Sequence, residues 1–321
     1  MPPPYKLNSE IVTYVSQISE KLGRIQAVHL YKASPKLRKK NRIKTIQSTL
    51  AIEGNTLNLD QITAIFENKR VIGPQKDILE VKNAIEAYER LKGFDPYTHQ
   101  SFLEAHAILM EGLIQQKGKY RSEQVGIMRG NIIAHLPPPS IRVYPLMSDL
   151  FTFVRDTAEL MLIKSCVFHY EMEFIHPFMD GNGRMGRLWQ TLLLMQINPV
   201  FEYLPLESLI KEKQEEYYEA LSQSDKAGSS TIFITYMLHI INQALEELLD
   251  VPFPKLDGLE RMGLYREFME NREFSRKDYM AHFKEISTAT ASRDLAQAVK
   301  KGILKREGEK RLTRYQFIEV S

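Results

Sequence analysis

The chain has 321 residues, 43% hydrophobic and 26% charged, which excludes disordered and fibrous classes and leaves room for two or three globular domains with a sizeable core. Its single cysteine, Cys166, excludes an internal disulfide and a thiolate metal cluster and suits a reducing compartment. The formal charge is only +3, from 43 basic and 40 acidic residues, so the total carries no sign of nucleic-acid affinity.

The opening Met1-Pro2-Pro3-Pro4 leads into a polar segment, so no signal peptide is expected and a cytoplasmic location follows. Apolar residues spaced by three and four predict helices over Asn8–Leu22, Ile78–Leu91, Thr98–Leu113, Met147–Leu160 and Ile232–Leu249. No run alternates strand and helix, so the chain is expected to be mainly α. Gly118-Lys119-Tyr120-Arg121 opens a segment with Gly126, Gly130 and Pro137-Pro138-Pro139 that ends near Val143. Glycine and proline at that density predict an exposed β-hairpin or flap. The apolar stretch Ile232–Ile241 is broken by Thr235 and His239 and is too short to span a bilayer, so no membrane contact is expected.

Asp250-Val251-Pro252-Phe253-Pro254 marks the clearest boundary, because two prolines stop a helix and stiffen a linker. Beyond it the chain reads helix, helix, helix and two short strands, with helices at Phe274–Phe283 and Thr288–Lys301 and strand-like pieces at Ile303–Arg306 and Leu312–Tyr315 around Gly308. Three regions result: an N-terminal helical region over 1–75, a core over 76–250 and a module over 255–321.

The stretch that carries chemistry is His176-Pro177-Phe178-Met179-Asp180-Gly181-Asn182-Gly183-Arg184-Met185-Gly186-Arg187, ahead of an apolar helix over Leu188–Ile197. Gly181 and Gly183 flank Asn182 and permit a loop whose N–H groups point inward at a helix N-terminus. Arg184 and Arg187 are three apart and share a face of the first turn, so two guanidiniums over an amide nest make a polyphosphate site. Asp180 at the rim suits Mg²⁺, which takes one or two carboxylates plus phosphate oxygens. His176 can accept a proton from an attacking hydroxyl. Taken singly, each residue also has an ordinary structural explanation; their conjunction within twelve residues does not.

His176 through Arg187 resembles the motif of the Fic family, His-Pro-Phe-x-x-Gly-Asn-Gly-Arg-x-x-Arg, at every fixed position, with the Asp that adenylylating members carry at the second variable site. The resemblance implies a Fic-type helical core with a small β-hairpin flap and a C-terminal winged-helix domain. It implies transfer of AMP from ATP to a Ser, Thr or Tyr hydroxyl of a target protein, with Mg²⁺ as cofactor. On this resemblance His176 is the general base and Asp180 the Mg²⁺ ligand. Asn182 and the loop amides of Gly181 and Gly183 hold the α-phosphate, while Arg184 and Arg187 hold the β- and γ-phosphates, with Met185 and Gly186 between them in the nucleotide site.

Thr49-Leu50-Ala51-Ile52-Glu53-Gly54-Asn55 places Thr49 and Glu53 four apart on one helix face, with Gly54 and Asn55 suited to the helix end. It resembles the inhibitory pattern of Fic members whose inhibitory helix precedes the core, which implies a bidentate Glu53–Arg187 pair that excludes the γ-phosphate. In some members the same glutamate also serves removal of AMP. The flap of the family docks the target by strand addition, with Val125, Gly126 and Ile127 as the candidate edge, simple loop packing being the other explanation. Tyr217 and Tyr218 resemble the tyrosine-bearing helix near the adenine, although aromatics at helical spacing also build cores. His106, His135, His169, Glu173 and Cys166 are expected to be structural or exposed, His106 and His135 having no nameable partner.

Ser287–Ser321 holds eight basic and four acidic residues. With Thr290, Ser292 and Arg293 on the second helix, the module reads either as a DNA-binding winged helix or as a folding and dimerisation module. Two other functions fit the sequence: a nucleotide-sensing, DNA-binding regulator, and a Fic-fold phosphotransferase.

Overall fold

The computed structural model describes residues 3–27, 35–129, 132–250, 257–269, 272–284, 286–308 and 313–318. Before the flap lie α1 (Ser9–Ala27), α2 (Pro35–Ile52), α3 (Leu59–Phe66), α4 (Gln75–Glu89) and α5 (His99–Leu109). The flap is β1 (Ile127–Arg129) and β2 (Ile132–His135), antiparallel, with Met128 opposite Ile133 and a bulge between Ile127 and Met128. Then come α6 (Ser140–Asp156), α7 (Met161–Ile175), α8 (Asn182–Met195), α9 (Leu206–Glu212), α10 (Gln214–Ala227) and α11 (Thr231–Asp250). The C-terminal part has α12 (Gly258–Met269), α13 (Arg276–His282), α14 (Thr288–Lys300), β3 (Leu304–Glu307) and β4 (Arg314–Phe317). These elements form two compact units, residues 1–31 with 38–250 and residues 32–37 with 251–321. No described helix is long and apolar enough to cross a membrane.

In the larger unit α7 is buried on nearly every side, as expected of a helix with no single apolar stripe. It packs along α8, while α1 lies along α11 and α10 packs on the same helix. Aromatic rings join the layers: Phe102 of α5 meets Trp189 edge-on at 4.9 Å and stacks near Phe178 of the glycine-rich loop at 5.3 Å. Cys166 is buried, with its sulfur 3.7 Å from the Gln190 amide nitrogen.

Several helix ends differ from the periodic pattern for identifiable reasons. Helix α6 starts before Pro145, which sits inside it, and stops at Asp156 rather than Leu160. There the Lys164 ammonium donates to the carbonyls of Val154 and Thr157 at 2.8 and 2.6 Å, satisfying the last turn. Helix α5 stops at Leu109 rather than Leu113, because the Asn83 amide takes the carbonyls of Leu109 and Glu111. Helix α8 begins at Asn182, inside the motif, rather than at Leu188.

The smaller unit follows the order read from the sequence, three helices and an antiparallel hairpin with Leu304 opposite Phe317. Phe274 is extended and pairs with Tyr315 instead of starting a helix; Ser275 caps α13 through a capping box with Asp278. A core of Tyr265, Phe274, Tyr279, Leu295 and Phe317 is completed by a fork of Arg261 onto Asp294 at 2.7 and 3.0 Å, with the Tyr279 hydroxyl on the same carboxylate. The expected linker at Val251–Pro254 and Leu312 of the second expected strand lie outside the described residues.

Gly186 fixes how closely α7 and α8 approach. A Cβ there would come within 2.9 Å of His169 and 3.0 Å of the Glu173 carboxylate. Gly186→Ala is therefore expected to destabilise the fold by about 1–3 kcal/mol through overpacking, read as a lower urea midpoint; an unchanged midpoint would refute this packing.

Candidate functional site

The glycine-rich loop is built by groups that satisfy its backbone. His176 ends α7 in the left-handed region, at φ +49°, which turns the chain out of the helix. Asn182 then clips the loop: its Oδ1 accepts from the Phe178 N–H and its amide donates to the Phe178 carbonyl, both at 2.9 Å. Gly181 has φ +85°, and a Cβ on it would meet Met110 sulfur at 2.7 Å, so only glycine fits. Helix α8 starts there without a side-chain cap, so its first amides are donors for an anion. The side chain of Asn182 thus shapes the loop, and what it offers an anion is its backbone amide.

Two residues whose partners the sequence pattern does not reveal hold this loop. His106 stacks on Phe178 with centroids 3.6 Å apart, accepts the Gly118 N–H at Nδ1 and donates from Nε2 to the Asp180 carbonyl. Burial lowers its pKa to about 4, so the ring is neutral and can do both. Arg121 donates to the carbonyls of His176 at 2.8 Å, Pro138 at 2.6 Å and Glu123 at 2.9 Å, and its N–H meets the Pro177 carbonyl. One guanidinium thereby ties both ends of the flap to the entry of the loop. It lies in the Gly-Lys-Tyr-Arg cluster noted as the start of the flap, but nothing in the sequence announces its carbonyl partners.

Neither arginine of the motif lies on a solvated face: Arg184 is 4% exposed and Arg187 2%. Arg187 donates from Nε to the Thr49 hydroxyl at 2.8 Å, and from Nη2 to the Thr49 carbonyl at 3.1 Å and Glu53 Oε1 at 2.6 Å. Thr49 and Glu53 thus meet the second arginine together. Thr49 takes the Nε end of the fork, so the carboxylate pairs through Nη2 rather than bidentately. Glu53 lies just past the end of α2, where Gly54 at φ +89° lets the chain turn. Burial works against the charge on Arg187, but Glu53, Tyr217 and Glu173 together outweigh it and raise the pKa. Arg184 donates to Asp180 at 3.0 Å and to Glu80 of α4 at 3.3 Å. Glu80 is a site residue that sequence reasoning missed, since nothing near it marks it as a partner of the motif.

His176 is the C-cap of α7, at the entry of the glycine-rich loop. Its Nδ1 is buried with no hydrogen-bond partner, and burial, aided by the charges of His135 and Arg121, lowers its pKa to about 4. Glu173, one turn earlier, has a buried unpartnered Oε1 and is raised by burial to about 7.

The remaining expected residues are placed as follows. Met185 is fully buried and Gly186 faces His169 and Glu173, so neither presents a side chain to the loop. Gly183 lies against the Glu53 carboxylate. Tyr217 is buried, with its hydroxyl 3.0 Å from His169 Nε2, and His169 in turn meets Gln190 at 2.6 Å. Tyr218 is partly buried beside it, 5.4 Å between ring centroids. Val125 and Gly126 precede the flap and Ile127 opens β1. His135, for which the sequence names no partner, pairs with Asp225 at 2.8 Å and with the Phe174 carbonyl at 2.8 Å. Asp225 also accepts from the Tyr170 hydroxyl, so the base of β2 is tied to α10 and α7.

A Fic/DOC family model matches residues 96–194. A Fic family protein from Desulfovibrio desulfuricans G20 is 38% identical in its crystal structure, covers 100% of this chain and 99% of its own, and superposes with a TM-score of 0.77. The chain belongs to the Fic/DOC family. Among its relatives, protein adenylyltransferase Fic of Nematostella vectensis is 26% identical over 78% of this chain, and protein adenylyltransferase fic-1 of Caenorhabditis elegans is 27% identical over 72%. The matches cover 58% and 46% of those two proteins, so the chain spans about half the length of the curated relatives it matches. The Fic-1 structure from C. elegans, 22% identical with a TM-score of 0.57, shares the fold.

The burial of His176 has a direct spectroscopic consequence. Its ring should titrate with a midpoint of about 4 and stay neutral from pH 8 down to about 5, as read from its imidazole NMR resonances. A midpoint near the ordinary 6.5 would contradict the buried, neutral ring.

Proposed function

We propose that the chain is a protein adenylyltransferase, moving AMP from ATP to a hydroxyl side chain of a target protein and of itself, restrained by Glu53. The observation that carries this reading is the convergence at one helix N-terminus of uncapped amides, two buried arginines and a neutral histidine. In that arrangement a hydroxyl oxygen attacks the α-phosphorus, the bond to the β-phosphate breaks and pyrophosphate leaves. The hydroxyl proton passes to His176, which is neutral at pH 7. Such transfer needs little covalent help, and the fixed amides and guanidiniums supply the positioning and the charge. The names of the relatives support AMP as the group moved. The buried His176 disfavours a pure nucleotide sensor, which needs no base.

Mg²⁺ fits the donor set. Asp180 is half exposed at the loop rim, and no cluster of three or more His, Cys, Asp or Glu stands among the described residues. One carboxylate suits a cation that arrives with the nucleotide phosphates, whose charge it offsets. An edge of the flap is the proposed seat of the target segment, docked by strand addition.

For residues 255–321 we favour an interaction module over a DNA reader. Ser292 accepts from Arg276 at 2.9 Å and Lys305 pairs with Glu307 at 2.6 Å, so polar groups of the supposed reading surface already have partners. Duplex DNA binding at low ionic strength that weakens with added salt would reverse this assignment.

Incubation with labelled ATP and Mg²⁺ tests the enzyme. Glu53→Gly should raise labelling roughly tenfold or more, equivalent to about 1.4 kcal/mol of barrier. Adding His176→Ala should remove about 10²–10⁴-fold of that rate while calorimetry still shows ATP binding. Equal labelling of Glu53→Gly and wild type would refute restraint by Glu53, and full labelling without His176 would refute the base. A mass gain of phosphate rather than AMP on the product would establish the phosphotransferase.

A further inference from the structure

The charges around Arg184 are arranged differently from those around Arg187. A guanidinium has a side-on edge, made by Nε and Nη2, and a far corner, Nη1. Arg184 Nη1 meets Glu80 Oε1 at 3.3 Å, while Nη2 on the side-on edge meets Asp180 Oδ1 at 3.0 Å. Nε, on that same edge, is buried and has no partner. The two carboxylates differ as well. Asp180 is 49% exposed, whereas Glu80 is 7% exposed and held from behind. Glu80 Oε2 accepts from the Asn55 amide at 2.8 Å, and that amide also donates to the Asp77 carbonyl. Asn55 closes the Thr49–Asn55 segment that carries Glu53.

We infer that Glu80 is a positioning residue for Arg184, gripping Nη1 so that the Nε–Nη2 edge is presented to the β- and γ-phosphates of the nucleotide, and that Asn55 fixes Glu80 for this task. The inference rests on the proposed role of the site in binding ATP. The physical reason is competition for the other contact. Were Asp180 to hold a cation bound with the nucleotide, the side-on edge of Arg184 would have two donors for a phosphate, the bidentate geometry that binds it best. Glu80 is sheltered from that cation and continues to orient the fork. Its hold on Asn55 also links the orientation of Arg184 to the segment that bears Glu53, so one carboxylate touches both the phosphate site and its restraint. Lys76 approaches Glu80 only at 3.9 Å, from a largely exposed side chain, and is not part of this arrangement.

AMP lacks the phosphates that Arg184 would meet, and this separates positioning from structural damage. Calorimetry on the full chain carrying Glu53→Gly, with Glu80→Gln or Asn55→Ala added, would measure Mg²⁺–ATP and AMP affinity side by side. Glu80→Gln should weaken ATP about tenfold, as loss of an outer contact that orients a charged ligand does, and leave AMP within about twofold. Asn55→Ala should shift the same ratio in the same direction by less, and it leaves no buried charge unpaired if Glu80→Gln folds poorly. Equal weakening of ATP and AMP, or an unchanged ATP affinity in the folded variants, would overturn the inference. Labelling by the Glu53→Gly parent tests the transferase reading separately, since the affinity ratio requires no turnover.

Discussion

A guanidinium buried to 2% exposure requires an anion, and Arg187 finds one in Glu53 at 2.6 Å. The rest of the site depends on that requirement. The arginine rides on α8, whose start is set by the loop, so its position is fixed before any ligand arrives. Its partner comes from more than a hundred residues earlier in sequence, delivered by the end of α2 together with the hydroxyl and carbonyl of Thr49. On the proposed function, a phosphate and the Glu53 carboxylate would be alternatives for one nitrogen, and the site would for that reason be open to restraint by a carboxylate of its own chain.

The loop is held without charging its histidines. His106 must accept at one nitrogen and donate from the other, which only the neutral ring can do, and burial keeps it neutral. His176 is neutral for the same reason. The cation that binds loop and flap is Arg121, whose charge burial does not remove and whose fork reaches several carbonyls at once. Permanent positive charge is thus used to hold loop and flap together, while both histidines are left uncharged.

The core of the site was legible because it is local. His176 to Arg187 is one continuous stretch whose glycines, arginines and acid carry their chemistry in order, and Thr49 to Asn55 is another. The main helices showed through their periodicity, but their ends did not, because Lys164 and Asn83 satisfy carbonyls from other helices. Glu80, His106, Arg121 and the His135–Asp225 pair stayed hidden for the same reason. Each acts through partners distant in sequence, mostly backbone carbonyls, and no spacing rule encodes them. The Asn182 side chain also shapes the loop and Gly186 the approach of α7 to α8, through contacts that the motif does not spell out.

The exchange of partners at Arg187 is most directly tested by crystal structures of the wild type and of Glu53→Gly, each with ATP and Mg²⁺. In the variant, Arg187 Nη2 should contact the γ-phosphate where Glu53 Oε1 stood at 2.6 Å, and in the wild type the carboxylate should remain with the γ-phosphate turned away. A γ-phosphate on Arg187 in the wild type with Glu53 still paired, or one that avoids Arg187 in the variant, would contradict the account.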